Sequence, residues 1–217
     1  MDWTRAIDSY CERLGPGLSA EPLNALSNLA FLIAAYVMWQ RVRGQQMPVA
    51  EALCAVLALI GLMSALFHSY AVVWTAIADS VSILIYVLLY LFAANRDYLD
   101  LRFWPALGMT LLFFPFAGAL VPVFQMVPGL GGSAAYAPVP LLIALYALYL
   151  RRSHPETAAG LAIGAGILVI SLGFRTIDEP FCAAFPIGTH FMWHILNGIM
   201  LGWMIEVYRR HRSQAVF

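Results

Sequence analysis

The feature that most limits the fold is a series of long, almost charge-free apolar windows, at about residues 22–41, 50–70, 74–95, 103–124, 136–151, 157–174 and 188–208. A hydrocarbon core about 30 Å thick takes roughly 20 apolar helical residues to cross, because each residue of α-helix rises about 1.5 Å. Lipid offers no water to backbone amides, so windows of this length must be helical. The stretch 103–150 has no charge and is too long for one crossing, but Pro128-Gly-Leu-Gly-Gly-Ser133 divides it with turn-forming residues. The expected fold is all-α, one membrane domain over residues 1–217 with seven transmembrane helices. Residues 1–21 form a short extramembrane arm and 209–217 a tail. The arm carries Asp2, Arg5, Asp8, Glu12 and Arg13 without an apolar run, so it does not read as a cleavable signal peptide.

Composition fits a multi-pass membrane protein, with 62% hydrophobic and 11% charged residues. Formal net charge is zero, so no basic footprint suggests nucleic acid as a partner. All cationic side chains apart from histidine are arginines, and their placement orients the bundle. In a seven-helix arrangement Arg41, Arg43, Arg96, Arg102, Arg151, Arg152, Arg209, Arg210 and Arg212 fall on one side, and Arg5, Arg13 and Arg175 on the other. The positive-inside rule then places the N-terminus outside and the C-terminus in the cytoplasm. An odd number of helices is required for that asymmetry.

Ionisable groups inside such windows are costly and usually face a protein interior or a wet cavity. His190 and His194, within Gly188-Thr-His-Phe-Met-Trp-His-Ile-Leu-Asn-Gly198, are four residues apart and share one helix face. Alone the pair fits a hydrogen-bonded interior or half of a bis-His haem site as well as a metal centre. Ser64 and His68 repeat the spacing near the outer end of helix 2, and Asp79 lies in about the second turn of helix 3. Singly, Ser64 could bond its own helix, His68 an interface and Asp79 a helix end or an arginine. The helical rise brings all five within roughly 10 Å of the outer boundary. Three histidines and a carboxylate at one depth are the parts of a catalytic zinc site, which leaves one metal position to water. Iron or nickel would also accept such ligands.

Between the two histidines stand Phe191, Met192 and Trp193, where the H-E-x-x-H pattern of soluble metalloproteases carries its glutamate. The base must come from elsewhere. Glu206 lies at the cytoplasmic end, which leaves Asp79 as the expected base and proton carrier, with Ser64 as a hydrogen-bond donor to a developing oxyanion.

These residues, in the order Tyr10-Cys-Glu12, Ala20-Glu-Pro-Leu-Asn-Ala-Leu-Ser-Asn28, Gly61-x-x-Ser64-x-x-x-His68, Asp79 and His190-x-x-x-His194, resemble the alkaline ceramidase family. That family belongs to a superfamily of seven-helix membrane hydrolases that includes progestin and adiponectin receptors. The resemblance implies zinc on His68, His190 and His194, catalytic Ser64 and Asp79, and hydrolysis of the amide of ceramide to a long-chain base and a fatty acid. Hydrolysis of another acyl lipid, or a receptor-like role with a structural zinc, would use the same scaffold.

The resemblance also implies a calcium site near the first helix, with Glu12 and Glu21 matching two acidic ligands and Asp8 near a third. Leu14 stands where the family offers an oxygen, and the Glu12 to Glu21 spacing is short. The other reading is that both glutamates cap or anchor the start of helix 1. Cys11 and Cys182 share the outer face in the derived topology, and the resemblance supports a disulfide between them; two free thiols is the alternative. Glu21, Asn24 and Asn28 line one side of helix 1 and Asn197 follows His194 by three, as residues that orient imidazoles or bridge helices. Arg175, Asp178 and Glu179 read as an ion pair in the loop before helix 7, and Trp74, Trp104 and Trp203 as interface or core residues.

Overall fold

The computed structural model describes residues 2–15 and 17–214. Among them seven helices follow the apolar windows: α1 (Pro22–Val42), α2 (Pro48–Tyr70), α3 (Val73–Asp97), α4 (Phe103–Gln125), α5 (Gly131–Leu150), α6 (Pro155–Phe181) and α7 (His190–Gln214). The first six are long and apolar enough to cross a membrane. α7 is as long as α3, but His190, His194, Asn197 and Glu206 dilute its apolar run, and all four are buried. α1 breaks at Asn28, and α5 begins as a 3-10 turn over Gly131–Ala135. Pro22, Pro48, Pro138 and Pro155 each open a helix, where a missing N–H leaves no bond unmade.

Contacts between remote segments define two ends of the bundle. At one end the arm bonds the α2–α3 turn, with Ile7 N donating to Ala71 O (2.7 Å) and Val73 N to Arg5 O (3.1 Å), and Cys11 is disulfide-bonded to Cys182 after α6. At the other, the ends of α1, α3 and α7 meet through Arg41–Glu206 (3.3 Å) and Arg212–Asp97 (2.9 Å). α7 lies between α1 and α6 and is buried for most of its length. Lipid supplies little hydrophobic drive between helices, so close packing of small residues carries the association. A β-carbon on Gly160 or Gly164 of α6 would strike Val207 or Met204, and one on Gly198 or Gly202 of α7 would press on Ala30 or Ala34 of α1. Polar bonds add to this packing: Tyr86 and Tyr90 of α3 donate to Leu201 O and Met204 O, and Trp203 Nε1 to Gly160 O (2.8 Å). Leu62, Ile85, Trp104 and Ile163 are exposed and form part of the apolar outer surface.

One boundary differs from expectation in a way that affects the site. α6 continues to Phe181, seven residues past 174, so Arg175, Asp178 and Glu179 are on its last turns and not in a loop. A run of charges reads as a helix end in sequence, but here two of the three are turned towards protein.

Candidate active site

The site is built where α7 starts. Asp178 fixes that start: Oδ1 accepts from Thr189 N (2.6 Å) and His190 N (2.9 Å), and Oδ2 accepts from Cys11 N (3.0 Å). A carboxylate at a helix N-terminus satisfies amides that have no partner within the helix and complements the helix dipole. The expected ion pair of Asp178 with Arg175 does not form among the described residues; Asp178 is a helix cap. Gly188 turns with φ +68, and a β-carbon there would collide with Asp178 Oδ1 and Cys11 Cβ. Only glycine suits both demands.

α7 then presents His190 and His194 to His68 from the last turn of α2. One ligand atom from each ring lies within 4.8 Å of the others, and all three rings are buried. Their neighbours set the tautomers. Ser27 Oγ donates to Asn24 O (2.8 Å) and therefore accepts the proton of His194 Nδ1 at 2.7 Å. His68 Nδ1 bonds Glu21 Oε2, a carboxylate–histidine pair. In both rings Nε2 is the nitrogen left to a metal. His190 stacks beneath Tyr10 with ring centroids 3.8 Å apart, and its buried Nδ1 has no hydrogen-bond partner among the described residues. Two rings held through Nδ1 and a third with a ring nitrogen without a partner fit a zinc ion.

Glu21 lies just before α1 and is 2% exposed. Burial pushes its carboxyl up, but the hydrogen bond and charge of His68 and the ion pair with Arg13 outweigh that and hold it below the usual range. It stays ionised and acts as acceptor for His68.

Ser64 and Asp79 line the same cavity as His190 and His194. Asp79 Oδ1 is buried and has no hydrogen-bond partner among the described residues, which is unusual for a carboxylate oxygen and leaves it available to a substrate or water. Below Asp79 the lining is mostly apolar and follows α3 past Ile83, Val87 and Leu91 to Tyr98, residues that span about 28 Å of chain at 1.5 Å per residue. Arg175 also lines it. Its guanidinium lies 5.6 Å from the Tyr10 ring centroid, 5.1 Å from Tyr136 and 5.6 Å from Trp193, and Nη1 donates to Tyr10 Oη (2.7 Å).

Glu12 and Glu21 of the arm are committed elsewhere, while Asp8 is exposed. Glu12 accepts from Leu23 N (2.6 Å) and Asn24 N (2.8 Å), capping α1, while Glu21 is engaged by Arg13, His68 and Asn24. Leu14 is 89% exposed, and the histidine trio is the one group of three or more potential ligands among the described residues. Both glutamates expected to bind calcium are thus engaged within the protein, Glu12 by the start of α1 and Glu21 by Arg13, His68 and Asn24. Cys11 and Cys182, joined by the disulfide, tie the arm to the end of α6, while Cys54 is free and buried.

The family model for ceramidases matches residues 10–215. The chain belongs to the ceramidase family. No curated protein matches it. The match runs from Tyr10 across all seven helices, so the whole of this site falls within the ceramidase region, and the chain is a ceramidase-like membrane hydrolase of amide bonds. Ser27, Tyr10 and Arg13 belong to the site although no periodicity or spacing in the sequence marks them. The one available signal for Ser27 and Tyr10 was their presence inside the motifs that carry the resemblance to ceramidases.

Proposed function

We propose that the chain is a zinc-dependent amidase that cleaves the N-acyl amide of ceramide or a related sphingolipid to a long-chain base and a fatty acid. The observation that carries this is a trio of buried histidines, two of which, His190 and His194, line one end of an apolar cavity together with Ser64 and Asp79. A ceramide places its amide at the headgroup boundary and its chains in lipid, which matches a polar end joined to an apolar run. The arginine asymmetry puts that end towards the non-cytoplasmic leaflet.

His68, His190 and His194 would hold the zinc, which supplies Lewis acidity and water that ionises near neutral pH. Glu21 and Ser27 keep two of the rings in the metal-binding tautomer. Asp79 takes the proton of the attacking water and delivers it to the departing amide nitrogen. Ser64 donates a hydrogen bond to the carbonyl oxygen as charge develops there. The apolar wall along α3 holds an aliphatic chain and keeps bulk water from the amide.

Fatty-acid release from ceramide by purified protein, paired with metal analysis, tests this reading. Asp79→Asn is expected to retain zinc and lose about 10²- to 10⁴-fold in kcat. His194→Ala is expected to lose both metal and turnover. Full activity in Asp79→Asn would remove it as the proton carrier, and release from acyl esters but from no ceramide would assign a different lipid.

A further inference from the structure

We infer that Arg13 is a built-in cation that takes the place of calcium beside the metal centre, so that this chain positions its arm and His68 without calcium. The inference rests on the metal-centre reading for what His68 does, and on geometry alone for the rest. The Arg13 guanidinium is gripped by oxygens on three sides: Nε donates to Glu21 Oε1, Nη1 to Gly15 O (3.3 Å) and Nη2 to His68 O (3.3 Å). A carboxylate and two backbone carbonyls are the kind of ligands that a hard cation would take. Arg13 and Glu21 are 8% and 2% exposed, so a permanent positive charge meets a buried negative one.

Calcium collects six to eight oxygens. Here both oxygens of Glu12 cap α1, and the second oxygen of Glu21 accepts from His68 and Asn24. Leu14 points to solvent and has no ligand atom in its side chain. To reach Glu21, calcium would have to expel a buried guanidinium from its partners, and an unpaired buried charge is strongly unfavourable. Arg13 thereby does two things. It neutralises Glu21, and it links the arm directly to the backbone of His68 and through Glu21 to its ring. Arg13 is a positioning residue, remote from the reacting atoms.

The test uses full-length protein in detergent, loaded with cobalt(II) as a spectroscopic stand-in for zinc. Titration of the wild type with calcium up to about 1 mM, the weak end of protein calcium sites, is expected to give no binding heat and no change in the cobalt absorption bands. Arg13→Gln, which keeps a donor and loses the charge, is expected to shift those bands and to weaken cobalt binding about 10- to 100-fold, with Arg13→Lys restoring most of it. Calcium binding by the wild type within that range overturns the substitution of arginine for calcium. Unchanged bands and affinity in a folded Arg13→Gln overturn the positioning role. If no variant folds, the wild-type titration still decides the first point. Binding and absorption are read without turnover, so failure to cleave ceramide would count against the proposed activity and leave this inference standing.

Discussion

A buried imidazole serves a metal only in one tautomer, and at His194 that choice depends on a single hydroxyl. Ser27 Oγ gives its own proton to Asn24 O, so it can only accept from Nδ1. Ser27→Ala is expected to weaken zinc binding about 10- to 100-fold, as loss of an orienting partner commonly does, read by competition with a chromogenic chelator. Ser27→Thr keeps the hydroxyl and should stay near wild type; equal affinity in the alanine variant would mean that packing alone holds the ring. The histidines themselves were legible, because four-residue spacing and depth along the helices are one-dimensional facts. Ser27 and Tyr10 were not. Their relevance depends on α1 and the arm being folded against α7, and neither a lone serine nor a lone tyrosine gives a periodic signal.

Two helix starts in this chain are met by carboxylates from other elements, α1 by Glu12 and α7 by Asp178. α7 begins at His190 because Asp178, on the last turns of α6, binds its first amides, and Gly188 makes room for that carboxylate. Gly188→Ala combines a left-handed backbone at φ +68 with a collision, and is expected to destabilise the fold by about 1–3 kcal/mol. Thermal unfolding in detergent should show the loss, with a proportionate drop in bound zinc as His190 moves; an unchanged melting temperature would show that the turn relaxes freely. The seven helices were legible from apolar windows, although α5 starts five residues before its window and α7 ends six residues after its own, and one further boundary is displaced in a way that affects the site. That boundary was the end of α6, because Arg175 and Asp178 look like a solvated loop until an aromatic cage and a helix terminus are found to receive them.

At the scale of the whole molecule, the two ends of the bundle do different work. The end with the arm, the disulfide and the α7 N-terminus assembles the polar site, while the opposite end is held by arginine pairs to Glu206 and Asp97. The cavity joins them, and its length is a property that no local sequence pattern encodes, since it is lined by residues of α1, α2, α3, α5, α6 and α7 together. Its lining residues along α3, from Asp79 to Tyr98, span about 28 Å, close to the hydrocarbon thickness of about 30 Å and more than one leaflet of acyl chain needs. Chain length should therefore be read by the width of the cavity. Val87 lines it two helical turns below Asp79, about 12 Å along α3. In Val87→Phe a chain that ends above this level still fits, whereas a longer one must bend or displace the ring. Discrimination of about 1–3 kcal/mol per excluded group predicts a 10- to 100-fold fall in kcat/KM for long-chain ceramides and less than about threefold for short-chain ones. A uniform fall across chain lengths would place the acyl group outside this cavity and leave the apolar run along α3 without a role in substrate choice.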